Sequence, residues 1–258
     1  MRLDPAAAAA GFHLSDHDTL PSTNTEALAL ARRGEMGPLW VTARQQTAGR
    51  GRRGNEWIST PGNLYATLLV YDPAAPDNAP QLSFVAALAV FDAIIDRAAA
   101  LREKLALKWP NDILYGGQKL AGILIESETI NTRLAVAVGI GVNCMHHPVE
   151  TEYPATDLAT AGAAVSAEDL LFALSGTMVR RLAQWSRGDD FQSIRADWLE
   201  RAMGIGGEMR VRLPKNREFV GRAEALDEHG RLLLRLTDGT LQTITAGDVF
   251  PVAASGQT

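Results

Sequence analysis

Cysteine is almost missing from this chain of 258 residues. Cys144 stands alone, which excludes an internal disulfide framework. Long apolar runs are missing too: the longest strongly apolar one, FVAALAVF at 84–91, falls far short of the ~20 residues a membrane-spanning helix needs. The opening MRLDPAAAAAG is broken by Asp4 and Pro5 and cannot serve as a secretory signal. Positive charge is in deficit, with a formal net charge of -5, so the chain does not coat nucleic acid electrostatically and any attraction to phosphate has to come from a local cluster. Histidine is sparse, and His13, His17, His146, His147 and His229 form no ligand or catalytic spacing. No G-x-x-x-x-G-K-[ST], H-E-x-x-H or G-x-S-x-G pattern occurs. These absences predict a cytoplasmic protein with no membrane segment and no nucleic-acid partner, and they leave Cys144 as a packed thiol.

Against this background one segment is rich. RQQTAGRGRRGNEW (44–57) holds four arginines and three glycines with almost no apolar content. Its GRGRRG (49–54) matches G-x-G-x-x-G, and Asp72 lies about 20 residues beyond, as in a dinucleotide fold. The context excludes that fold, because Pro61-Gly62 forbids the helix the motif must open. What remains is a loop whose backbone N–H groups at Gly49, Gly51 and Gly54 can approach an anion closely, with Arg50, Arg52 and Arg53 to neutralise it. A solvated basic loop and RNA-type Arg/Gly contacts are the competing readings.

The second dense segment is KWPNDILYGGQKLAGILIE (108–126). Pro110 fixes a turn, Asn111 supplies a donor and an acceptor, Asp112 a carboxylate and Lys119 a cation. Strict alternation from Lys119 places Ala121, Ile123 and Ile125 on its face, with Leu120, Gly122, Leu124 and Glu126 opposite. Taken singly, Lys119 reads as a surface lysine and Asp112 as a turn residue. The third segment, VGIGVN (138–143), ends a strand in Gly139 and Gly141, which leave room for a flat ring or another backbone, and then Asn143, which can bond the edge of a base.

The remaining pattern gives the architecture. Thr23 with Glu26 reads as a capping box opening a helix over about 24–33, and PLWVTA (38–43) and NLYATLLVY (63–71) read as strands. An apolar helix follows from QLSFVAALAVF, then four strand-like runs over 105–143, then two helices from Ser166 to about Met203. From Gly204 the texture changes to short alternating strands punctuated by Asn216, His229-Gly230 and Asp238-Gly239, which predicts a small β-barrel packed against an α/β part. The expected division is a flexible leader over 1–12, a catalytic domain over 13–203 and a barrel over 204–258.

STN (22–24), QTAGRGRRGNEW (46–57), KWPNDI (108–113), KLAGILIE (119–126) and GIGVN (139–143), in that order and spacing, resemble the signature blocks of the biotin protein ligases. The resemblance implies an α+β fold, a mixed β-sheet flanked by helices as in class II synthetases, with a C-terminal SH3-like β-barrel. It implies joining of biotin to ATP as biotinyl-5′-AMP, with Mg2+, and transfer of the biotinyl group to one lysine of a biotin carboxyl carrier protein. The short stretch before the catalytic blocks matches the monofunctional type, without an N-terminal DNA-binding domain; Asn55 stands where relatives often have a basic residue.

By resemblance Ser22, Thr23, Asn24, Gln46, Gly49 and Gly122 bind biotin together with Arg50 and Lys119. Arg50, Gly51, Arg52, Arg53, Trp57, Asn111, Lys119 and Asn143 hold ATP or the adenylate, and Lys119, Arg50, Arg52 and Asp112 form the catalytic set. Asp112 has three open roles: orienting an arginine, holding the metal or assisting the incoming lysine. Thr23 is claimed both as cap and as ligand, and a homodimer is left open. A lipoate or octanoate ligase shares the logic of acyl activation, and a nucleic-acid-binding regulator is the alternative from another class.

Overall fold

The computed structural model describes residues 1–213 and 217–252. The turn expected at Asn216 lies outside the described residues. Seven strands form one mixed sheet in the order β1-β2-β3-β7-β6-β5-β4: β1 (His13–Leu20), β2 (Leu39–Gln46), β3 (Leu64–Tyr71), β4 (Leu105–Lys108), β5 (Asp112–Tyr115), β6 (Gln118–Ile130) and β7 (Arg133–Val142). Among the described strand pairs of this sheet, only β1 and β2 run parallel. The strand at 13–20, HLSDHDTL, has no clean apolar alternation and was not expected from sequence; it is an edge strand whose register is set by pairing to β2.

The sheet has two chemically different faces. On β3 and β7, Leu64, Ala66, Leu68, Val136, Val138, Ile140 and Val142 point into the main core. That core also contains most of α3 (Leu82–Arg97) and the apolar faces of α4 (Ala167–Trp185) and α5 (Phe191–Glu200). The opposite face carries small residues, Ala135 and Ala137, packed against α2 (Thr23–Arg32), and then Gly139 and Gly141 beyond the helix N-terminus. Alternation at period two therefore leaves a glycine floor where α2 begins, with the Asn24 side chain seated on Gly139. Together with the 3-10 turn before it, α3 spans 76–97 and is apolar and long enough to cross a membrane, but 83% of its most apolar window is buried in this core.

The expected flexible leader is instead packed. Asp4 caps a short helix, α1 (Pro5–Ala9), by accepting from Ala6 N, and Pro5 takes its first position. Ala7 is fully buried, and Asp4 N donates to Ser175 Oγ on α4, so the small side chains that suggested a loose leader allow close helix–helix approach.

A five-stranded antiparallel sheet follows, in the order β11-β10-β9-β8-β12: β8 (Glu208–Leu213), β9 (Arg217–Leu226), β10 (Leu232–Leu236), β11 (Leu241–Ile244) and β12 (Asp248–Pro251). Among the described residues its end strands β11 and β12 are not paired, so no closed ladder is formed. Val211, Leu226, Leu234 and Val249 join the main core, and Trp109 Nε1 donates to Gly230 O at 3.0 Å. The two parts share one hydrophobic core, and their pairing fixes what β12 presents to the rest of the molecule.

Candidate active site

Over the glycine floor lies a cavity of about 130 Å3 whose walls come from α2, the loop after β2 and strands β5 to β7. Every expected residue lines it except Gly49, Arg53 and Asn143. At one end Ser22, not Thr23, caps α2: its hydroxyl accepts from Thr25 N at 3.5 Å, and Glu26 pairs with Arg33 instead of reaching back to the cap. Thr23 is thereby released from capping. Its backbone N and its hydroxyl both donate to Gln46 Oε1, at 2.9 and 3.2 Å, and Gln46 Nε2 donates to Ser59 Oγ. Asn24 is fully engaged: its amide donates to Leu124 O and to Glu126 Oε2 at 2.8 Å, while its oxygen lies 2.7 Å from the Thr67 hydroxyl. Asn24 acts on the cavity as a brace.

A β-bulge sets the other end. Ile113 pairs with Ala121 but Leu114 pairs with Lys119, so Leu120 is an extra residue in β6. The bulge corrects the expected alternation. Leu120, Ala121 and Ile123 all enter the core, and Lys119 joins the face of Gly122, Leu124 and Glu126. A Cβ on Gly122 would sit 3.3 Å from Lys119 Cε. Gly141 leaves room for a flat ring that is a protein side chain, and Gly139 for the Asn24 amide: Trp57 lies on Gly141 and Gly122, 5.6 Å from Lys119 Nζ, and its buried Nε1 has no acceptor among the described residues. A Cβ on Gly141 would come 2.5 Å from Trp57 Cε2. We expect Gly141→Ala to lift the indole and weaken binding of the biotin that the sequence resemblance implies by about tenfold, roughly 1.4 kcal/mol, with an unchanged far-ultraviolet spectrum; calorimetric titration checks it.

Asp112 sits between two lysines, a neighbourhood that none of its three expected roles described. Its carboxylate is bracketed by Lys108 Nζ at 2.8 Å and Lys119 Nζ at 2.6 Å. It orients lysines, not an arginine. Burial raises its pKa, but the ammonium groups of Lys119 and Lys108 outweigh that and hold it below the usual aspartate range. A depressed folded value gives stability that is present above the unfolded value, about 3.9, and is lost as pH falls below it toward the folded value. The thermal midpoint of Asp112→Asn should therefore fall less steeply than the parent's between about pH 4 and pH 2.

The arginines of the loop have separate anchors. Arg50 grips Glu126 with Nη2, 3.1 and 3.0 Å from the two carboxylate oxygens, and reaches Thr25 Oγ1 with Nη1. Arg53 has φ 58, and its Nη1 donates to Asp248 Oδ2 on β12 at 2.6 Å. Arg52 reaches only Asn111 Oδ1, at 3.2 Å, and has no carboxylate partner among the described residues; burial, then the neighbouring Arg53, lower its pKa. Arg44 points away and pairs with Asp18. Gly49 is a packing position, where a Cβ would meet Trp57 O at 2.4 Å.

Asn143 is buried behind the site. Its amide donates to Thr156 O at 3.0 Å, and it lines an adjoining cavity of about 360 Å3 with Tyr153, Phe250 and Lys108. Trp57, Asp112, Lys119 and Asp248 wall both cavities. Cys144 is buried, with its thiol pushed up to about 12 chiefly by burial, as expected of a packed thiol. Sequence reasoning assigned no role to Lys108, Glu126 or Asp248. Lys108 and Glu126 sit inside the quoted blocks, whereas nothing in the local sequence of Asp248 ties it to a loop almost two hundred residues earlier.

The two adjoining cavities lie on a mixed sheet with an antiparallel C-terminal sheet packed against it. The Biotin/lipoate A/B protein ligase family matches residues 18–143, and the Biotin protein ligase C terminal domain matches 204–250. A biotin–[acetyl-CoA-carboxylase] ligase of Paracoccus denitrificans is 43% identical over 89% of this chain and 96% of its own length. The biotin protein ligase of Aquifex aeolicus, solved in complex with biotin and ATP, is 25% identical with a TM-score of 0.76, covering 92% of this chain and 97% of that one. That of Leishmania major, in complex with biotinyl-5-AMP, is 27% identical with a TM-score of 0.66, covering 91% and 99%. The chain belongs to the biotin protein ligase family.

Proposed function

We infer that this chain is an ATP-dependent biotin–protein ligase, which converts biotin to biotinyl-5′-AMP and then biotinylates one lysine of a biotin carboxyl carrier protein or domain. The observation that carries the reading is the charge pairing. Among the described residues Arg50, Arg53 and the two lysines meet three carboxylates, Glu126, Asp248 and Asp112, and Arg52 pairs with none, so five positive charges face three negative ones in and around the cavity. Glu56, also at the wall, is exposed and screened by water. Such an excess suits a reaction between a carboxylate and a triphosphate, which repel each other unless cations hold them in line.

In the first step the biotin carboxylate oxygen attacks the α-phosphorus and pyrophosphate leaves with the broken P–O bond's electrons. Lys119 and Arg52 face the developing charge. Ser22 and Gln46 retain donor capacity toward the ureido end, and the apolar ring of Trp57 covers the joined product. In the second step the acceptor amine attacks the carbonyl carbon, AMP leaves and the nitrogen loses a proton. The adjoining cavity, which shares Asp112 and Lys119, gives the nucleotide and then the acceptor lysine a way to the same atoms.

Asp112 does not fit a metal ligand, since both of its oxygens face lysines. No group of three His, Cys, Asp or Glu side chains able to hold a metal occurs among the described residues. Magnesium is accordingly treated as part of the MgATP substrate, carried by the phosphates. Biotin-dependent exchange of labelled pyrophosphate into ATP is the direct test. Exchange supported by lipoate and not by biotin would overturn the reading.

A further inference from the structure

We propose that Lys108, a residue outside the arginine loop, is a positioning residue for adenylation: by neutralising Asp112 it leaves the charge of Lys119 available to the reacting anions. The inference rests on the ligase reading above. Lys108 is 5% exposed and stands directly across from Asp112 in the β4–β5 ladder, on the two sides of the turn made by Trp109, Pro110 and Asn111. Its ammonium lies 2.8 Å from Asp112 Oδ2 and 4.6 Å from the centre of the Tyr153 ring, with the other carboxylate oxygen turned to Lys119.

The three groups are not equivalent. Lys108 is the more deeply buried lysine, while Lys119 is 29% exposed and reaches into the cavity beside Trp57. A buried ammonium is costly unless paired, and Asp112 is its only carboxylate partner among the described residues. Lys108 and Asp112 thus form a neutral pair built into the sheet, and Lys119 contributes one whole uncompensated charge. Without Lys108, Asp112 would face Lys119 alone, the pair would be neutral, and the field at the α-phosphate would lose that charge while the lysine stayed in place. The cation–π contact from Tyr153 favours Lys108 on its own side of the carboxylate.

Four proteins test this by single-turnover quench-flow measurement of biotinyl-adenylate formation: the parent, Lys108→Met, Lys108→Arg and Lys108→Met combined with Asp112→Asn. Biotin affinity without ATP, measured calorimetrically, checks the fold of each. Lys108→Met should slow adenylate formation about 30-fold with biotin affinity within threefold of the parent, and Lys108→Arg should recover most of the rate. Adding Asp112→Asn to Lys108→Met should regain at least tenfold, because the quenching carboxylate is gone, whereas a purely structural role predicts further loss. A Lys108→Met rate within threefold of the parent, or a double variant no faster than Lys108→Met, overturns the proposal. Should Lys108→Met fail to fold, the double variant, which removes a neutral pair, decides alone: a rate within tenfold of the parent supports the role, and a rate as low as that of Lys119→Gln refutes it. A parent that forms no adenylate refutes the ligase reading, a separate outcome.

Discussion

Replacing Lys119 by Gln should lower the rate of biotinyl-adenylate formation by about 10^2- to 10^3-fold, or roughly 2.7–4 kcal/mol, the range seen when one preorganised stabiliser of developing charge is removed. The side chain shares a face with Gly122 and lies 5.6 Å from the Trp57 ring and 2.6 Å from Asp112 Oδ1. Stability should change by no more than about 1 kcal/mol, because Asp112 keeps Lys108 and no buried charge is orphaned. Single-turnover kinetics beside a denaturation curve checks both halves. An unperturbed rate would remove Lys119 from the chemistry, and a large loss of stability would show that it serves the fold.

Arg52→Gly should separate making the intermediate from keeping it. Among the described residues Arg52 is the arginine of the loop with no carboxylate paired to it, held by Asn111 Oδ1, and so it is the one with most to gain from an acyl phosphate. A charge-assisted hydrogen bond of this kind contributes about 1.5–3 kcal/mol, which corresponds to roughly 10- to 150-fold in retention. The variant should release biotinyl-adenylate faster by about that factor and label lysines of bystander proteins, while Arg50–Glu126 and Arg53–Asp248 still anchor the loop on either side. Labelling as selective as the parent's would assign retention to another group. The two variants thus probe opposite ends of one reaction: Lys119 acts while the mixed anhydride forms, Arg52 after it has formed.

Much of this molecule was legible along the chain. The absence of paired cysteines and of nucleotide-binding helix motifs, the crowding of arginine and glycine at 49–54 and the order of the five blocks pointed to anion chemistry on an α+β fold, because residue type and spacing are local properties. So were the strands flanking the loop and the apolar α3. Other features came from packing alone. One extra residue at Leu120 reversed the face on which Lys119 emerges, and a bulge is a property of the pairing between strands. The cap of α2 went to Ser22, because Thr23 is drawn to Gln46 across the sheet edge. The leader became a helix once α4 offered Ser175 to Asp4.

The division has a physical basis. Sequence by itself determined which charges the protein carries and the segments that hold them, since composition and periodicity act over a few residues. Tertiary structure decided which of those charges are cancelled. Coulomb interaction depends on separation in space, and Glu126, Asp248 and Lys108 reach their partners only after β6, β12 and β4 take their places in two sheets. Arg52 and Lys119 carry the excess because, among the described residues, folding brought no further carboxylate into contact with them.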